Sequence, residues 1–113
     1  MRGAITVERD EREAVLTSTS RLVAEILQRN RLSPSDIVSV IFTATPDLRS
    51  AFPAEAARQM GLKGVPLLCA QEIDVDGAMP RVVRVLMHFR SDLPPSEVTH
   101  VYLDGAESLR DDL

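Results

Sequence analysis

The chain predicts an α+β domain, a small mixed β-sheet with its helices on one face. Several short apolar segments are bounded by turn signals, as sheet strands are. A long segment between the first and second of them carries apolar residues at helical spacing. The resulting order, β-α-β-α-β-β-β, suits one sheet covered by one helical layer.

RGAITVE (2–8) is rich in β-branched residues and reads as the first strand. The helix that follows opens on Asp10 with Glu13 three residues later, the pattern of a capping box. Val15, Thr19, Leu22, Val23, Ile26 and Leu27 form its apolar stripe, so that face packs on the sheet. Ser33-Pro34 places proline at a first helical position and opens a short turn. IVSVIFTA (37–44) is a continuous apolar run, as expected of a central strand. Phe52-Pro53 starts a short helix, AEAARQM, which Gly61 can end. VPLLCA (65–70), RVVRVLMHF (81–89) and VTHVYL (98–103) read as the remaining strands.

A length of 113 residues supports one modest core, so residues 1–113 are expected to form a single domain. With 44% hydrophobic and 27% charged residues, the composition is that of a globular rather than a disordered chain. A net charge of -4 argues against nucleic acid or an anionic membrane as the partner. The single cysteine rules out an internal disulfide and fits a cytoplasmic protein. No apolar run approaches the ~18 residues of a membrane span, and MRGAITVERD lacks the apolar core of a secretory signal.

One helical layer covers one face of a sheet, so the other face should be polar unless a second chain covers it. In RVVRVLMHF, Val83, Val85, Met87 and Phe89 point one way, and Arg84, Leu86 and His88 the other. Neither set is cleanly polar. Two half-apolar faces on a small domain point to an oligomer.

Arg84 admits two readings: a strand arginine on a solvated face, or a guanidinium aimed into a shared pocket to bind a carboxylate or a developing oxyanion. Glu72 closely follows the third strand and on pattern alone reads as an exposed strand-end carboxylate. Cys69 reads as a small core hydrophobe, with no histidine nearby in sequence to activate it. Arg58 lies on the short helix, Arg2 at the start of the first strand, and Tyr102 is the only tyrosine. His88 and His100 show no ligand spacing, so no metal is expected. There is no Gly-rich phosphate loop, CxxC pair or Ser/His/Asp arrangement.

Four segments, RGAITVERD, FTATPDLRSAFPAEAARQMG, VPLLCAQEIDVDGAMPRVVRV and HVYLDGAESLR, closely resemble in order and spacing the AroH-type chorismate mutases. These are the small, monofunctional, trimeric mutases, distinct from the all-helical type. The resemblance runs through nearly the whole chain, with a single-residue gap between positions 61 and 65. It implies a homotrimeric pseudo-α/β barrel with active sites at the subunit interfaces. The implied reaction is the Claisen rearrangement of chorismate to prephenate, which leads from the shikimate pathway toward phenylalanine and tyrosine.

Carried over residue by residue, the resemblance makes Arg2 a ligand of a substrate carboxylate. Phe52 becomes a pocket wall and Arg58 an entrance arginine. Leu68 and Cys69 line the pocket, and Glu72 faces the substrate hydroxyl. Arg84 is set against the breaking ether oxygen, Tyr102 binds a carboxylate, and Leu109 gives an apolar contact from the tail. Glu55 stands where the family often has a lysine, which implies a less positive entrance. LRDDL replaces the family's LRPDL, with a short tail ending at Leu113. Strand alternation puts Cys69 and Glu72 on opposite faces, so gathering both in one pocket requires the strand to bend or end between them.

A unimolecular rearrangement needs no nucleophile, metal or cofactor. It needs the flexible dianion held in its reactive conformer and a donor where charge develops. Two alternatives belong to other classes: a trimeric RidA-like imine or enamine deaminase, and a non-catalytic ligand-binding module. AFPAEAAR and CAQE are not features of the deaminases. Loss of chorismate absorbance separates all three readings.

Overall fold

The computed structural model describes residues 1–112; Leu113, the end of the tail considered above, lies outside the described residues. The strands are β1 (Arg2–Thr6), β2 (Ile37–Ala44), β3 (Leu67–Gln71), β4 (Val82–Phe89) and β5 (Val101–Leu103), and the α-helices are α1 (Arg12–Arg29) and α2 (Pro53–Gln59). Short 3₁₀ turns occupy Pro34–Asp36 and Pro95–Glu97, and a 3₁₀ segment covers Asp104–Asp112. The sheet order is β3-β2-β4-β1-β5. β4 runs antiparallel to both β1 and β2, whereas β5 is parallel to β1 and β3 to β2. The predicted element order and mixed sheet are therefore those observed.

Strand ends differ from the sequence reading for local reasons. Pro66 has no N–H to donate, so β3 starts at Leu67, two residues later than read, though the Pro66 carbonyl still accepts from the Val40 amide. Thr99 pairs with the buried Asn30 side chain instead of a strand: its amide donates to Oδ1 at 2.8 Å, and its carbonyl accepts from Nδ2 at 2.9 Å. The expected capping box at Asp10 and Glu13 does not form. Glu11 is the N-cap residue of α1 and makes no side-chain capping bond. The Asp10 carboxylate instead accepts from the Arg49 amide (2.9 Å), the Ser50 amide (3.0 Å) and the Ser50 hydroxyl (2.7 Å). Three donors from one loop outweigh a single helix amide. The same bonds, with the Ser50 hydroxyl first, hold the Asp10 carboxyl below its ordinary pKa.

Both helices cover one face. Val15, Thr19, Leu22, Val23 and Ile26 of α1 are buried as the stripe predicts, while Leu27 is only partly so. They pack with Ile5, Phe42, Val83, Val85, Met87 and Val101 from the sheet. Thr19 is accommodated because its hydroxyl donates back to the Val15 carbonyl at 2.7 Å. A smaller cluster, Ala4, Val82, Tyr102 and Ala106, with Met79 and Leu109 against it, forms on the opposite face. The C-terminal 3₁₀ segment thus covers one end of that face. Phe52, Leu68 and Leu86 remain exposed. No helix among the described residues is long and apolar enough to cross a membrane.

Gly3 allows β1 to approach both β5 and α1. A Cβ there would lie 2.7 Å from the Val101 carbonyl oxygen and 3.2 Å from Val85 Cγ1. Relief requires moving a strand. Gly3→Ala should therefore cost about 1–3 kcal/mol, the usual scale of overpacking. Urea unfolding of the two proteins measures it, and an unchanged midpoint would contradict this account of β1.

Candidate active site

The cross-strand register sorts the candidate residues by face. On the helix side, Cys69, Phe42, Val85, Gly3 and Val101 form one row across the five strands. On the helix-free side the next rows are Leu68, Ile41, Leu86 and Arg2, then Ala70, Thr43, Arg84, Ala4 and Tyr102. Arg2, Arg84 and Tyr102 therefore share a face because β4, β1 and β5 are neighbours. Nothing local in the sequence specifies that order.

Glu72 reaches the same face from beyond the end of β3. Its amide still donates to the Ala44 carbonyl at 3.0 Å, so alternation continues through it. The anticipated bend between Cys69 and Glu72 is absent, and the two residues do lie on opposite faces. The Glu72 carboxylate accepts from Arg84 Nε at 3.1 Å (Oε1) and 3.0 Å (Oε2), and from Thr43 Oγ1 at 2.7 Å (Oε2). Side-chain exposures of 39% for Arg84 and 19% for Glu72 leave the pair partly desolvated but open to a ligand. The Arg84 bonds to described residues run through Nε, which leaves both amino groups of the fork to face the open side.

A cavity of about 300 Å³ lies on this face, lined by Arg2, Ile41, Thr43, Arg84, Leu86 and Tyr102 among others. Two guanidiniums and a phenol around apolar walls suit a small carboxylate-bearing ligand. Tyr102 is 8% exposed, packed beneath the C-terminal segment in the cluster that includes Leu109.

The remaining candidates lie elsewhere. Phe52, at the start of α2, is 70% exposed. With Cys69 and Arg12 it lines a separate cavity of about 530 Å³, under the loop before α2. Cys69 Sγ accepts from the Ala54 amide at 3.4 Å, a packing contact. Arg58 is exposed on α2, and Leu68 faces solvent on edge strand β3. Glu55, expected to make the entrance less positive, is bound by Arg12, whose Nη1 donates to Oε2 at 2.7 Å. That bond lowers the Glu55 pKa and offsets its charge. In a single chain Phe52, Cys69 and Arg58 thus lie apart from the Arg84–Glu72 pair, while Leu68 shares its face at the edge of the sheet.

Sequence reading missed two supporting residues. Thr43 bonds Glu72, and His100 Nδ1 accepts from the Arg2 amide at 2.9 Å. The Met1 ammonium donates to the Met87 carbonyl (2.8 Å), and the Met87 amide to the Met1 carbonyl (3.0 Å), which holds Arg2 from its other side. Thr43 was legible only as one of the residues of β2 facing away from the helices. Among the described residues no cluster of His, Cys, Asp and Glu could hold a metal.

The chorismate mutase type I family model matches residues 1–113. Chorismate mutase AroH of Thermus thermophilus is 52% identical, covering 100% of this chain and 93% of the relative. The Bacillus subtilis chorismate mutase AroH is 43% identical, covering 100% and 90%. A solved chorismate mutase from Clostridium thermocellum superposes with a TM-score of 0.94 at 42% identity, covering 96% of each chain. A mixed sheet with helices on one face and an arginine–glutamate pair on the other defines a class of fold and site. The particular family is now plain: the chain belongs to the chorismate mutases of type I.

His100 gives the site a pH signature. Burial, then the charge of the N-terminus, then Arg2, lower its pKa from the ordinary 6.5. The folded chain therefore holds a neutral imidazole where the unfolded chain would protonate. Its contribution to stability is complete above pH 6.5 and is lost as pH falls through the lowered folded value. The Met1 amine, lowered from 8.0 by burial and Arg2, acts with the same sign at higher pH. Between about pH 7.5 and about pH 5.5, urea midpoints should fall more steeply for the parent than for His100→Gln, which cannot titrate. Parallel slopes would mean that His100 is not held neutral.

Proposed function

We propose that the chain is a single chorismate mutase domain that rearranges chorismate to prephenate. We further propose a homotrimer, in which each site combines one chain's Arg2, Glu72, Arg84, Tyr102 and Leu109 with a neighbour's Phe52, Arg58, Leu68 and Cys69. The observation that carries this is the Arg84–Glu72 pair at 3.0 Å, on the helix-free face of a chain matching the family from end to end. The separation of the half-sites, and the exposure of Phe52 and Leu68, support the pairing of chains. The full-length family match leaves the deaminase alternative without support. A cytoplasmic location belongs to the same proposal and rests on the lone cysteine and the sequence character described above.

The reaction breaks an ether C–O bond while a C–C bond forms within the same molecule, with no group gained or lost. The enzyme has two tasks. Arg2 and Tyr102 bind substrate carboxylate and hold the compact conformer, replacing a search through open conformers with one bound geometry, while Arg58 attracts the dianion at the entrance. Arg84 directs its amino groups at the ether oxygen, where negative charge accumulates as the bond breaks. A fixed donor in a partly dry site favours the transition state over the ground state because little reorganisation is needed. Glu72 holds Nε and thereby fixes the plane of the fork. Its Oε1 keeps a lone pair for the substrate hydroxyl. Cys69 has no chemical step in this scheme.

Steady-state loss of chorismate absorbance tests the assignment. Arg84→Ala should lower kcat by on the order of 10²–10³, the scale of one preorganised donor. Arg84→Lys should recover only part, since a point charge on a flexible stem lacks the fork. Arg58→Ala should mainly raise KM, because an entrance charge attracts the dianion without favouring the breaking bond. A near-parental kcat in folded Arg84→Ala would remove Arg84 from the chemistry.

A further inference from the structure

We propose that Thr43 is a positioning residue for the rearrangement, acting on Arg84 through Glu72; the assignment rests on the site proposed above. Thr43 sits on β2 between its register partners Ala70 of β3 and Arg84 of β4. Its hydroxyl donates to Glu72 Oε2 at 2.7 Å, a length typical of a charge-assisted bond. Glu72 needs such a tie. It lies one residue past β3, where exposed residues 73–78 begin, and its own backbone bond is the one to the Ala44 carbonyl.

A glutamate has three side-chain torsions, and a single backbone bond does not fix them. Thr43 anchors one oxygen, and the carboxylate then receives Nε of Arg84 across both oxygens. The hydroxyl also decides which oxygen remains available, since Oε2 accepts two bonds and Oε1 one. β-Branching suits the role because it restricts the torsion that aims the hydroxyl. The Thr43–Glu72 bond is direct, and Thr43 also lines the cavity beside Arg84. The chain Thr43–Glu72–Arg84 thus transmits the rigidity of interior strand β2 to the guanidinium.

The test is kinetics on Thr43→Val, Thr43→Ser and Arg84→Ala, with Thr43→Val repeated in a Glu72→Ala background. Thr43→Val keeps the shape and removes the donor. It should lower kcat about ten-fold or more, the usual loss for a hydrogen bond to a charged group, with a smaller change in KM. Thr43→Ser should return to within about three-fold of the parent by restoring the donor. In Glu72→Ala the same Val substitution should have no further effect beyond about two-fold, since the residue through which it acts is gone. An equal penalty in both backgrounds, or a near-parental kcat in Thr43→Val, would overturn the proposal. If Thr43→Val does not fold, Thr43→Ala removes the hydroxyl without added bulk and is held to the same outcomes. Arg84→Ala separates the two levels. If it keeps its kcat, the proposed site itself is wrong. If it is crippled while Thr43→Val is not, only the role of Thr43 falls.

Discussion

Arg84 is a charge set among apolar neighbours, with Ile41, Leu86, Ala4 and Val82 around it on the helix-free face, and Glu72 is what makes it tolerable there. A half-buried guanidinium without a partner would cost more than this small core can readily absorb. With its Nε bound by a carboxylate, the desolvation cost is offset, and the remaining donors are held in one plane. The rest of the site follows from this contact. β3 must pair with β2 in the register that brings Glu72 past Ala44, and β4 must lie between β2 and β1 so that Arg84 sits beside Thr43. A partly buried ion pair is weak evidence for stability, so its retention is better explained by what the fork can bind.

Strand alternation sets the second constraint. Cys69 and Glu72 are three residues apart on a straight ladder, so they leave it on opposite faces. Alternation alone therefore directs the two side chains away from each other. In the proposed trimer the conflict disappears, because the neighbour supplies the Cys69 side while this chain supplies the Glu72 side. The same arrangement would cover Leu68 and Phe52, which a lone chain leaves in water. Assembly and catalysis would then share a cause.

Much of the fold was legible in the sequence because it rests on periodicity. The helical stripe from Val15 to Ile26 and the unbroken run of β2 gave their elements nearly to the residue. What escaped was governed by contacts distant in sequence. Asp10 has a helix amide within three residues but binds a loop some forty residues away, and no local pattern encodes that choice. β5 is shorter than its apolar run because Asn30 intercepts Thr99. At the site, Arg84 and Glu72 stood out as charges in apolar surroundings, which is a physical signal. Thr43 gave none, since a threonine in a strand is unremarkable until the neighbour across the sheet is known. Roles for Arg2, Phe52, Arg58 and Leu109 came from family resemblance rather than from pattern.

The central claim is that a working site needs half of its residues from each of two chains. Co-expression of Arg84→Ala and Phe52→Asp chains under different tags, followed by isolation of mixed oligomers, tests it most directly. Each substitution cripples a different half-site, so either chain alone should be inactive. A cyclic trimer containing both chains regains one intact interface out of three, so the isolated mixed trimers should show about a third of the parental turnover per site. Mixed trimers that form but remain as inactive as either parent variant would show that Arg84 and Phe52 do not meet across chains, and the two-chain site would have to be abandoned.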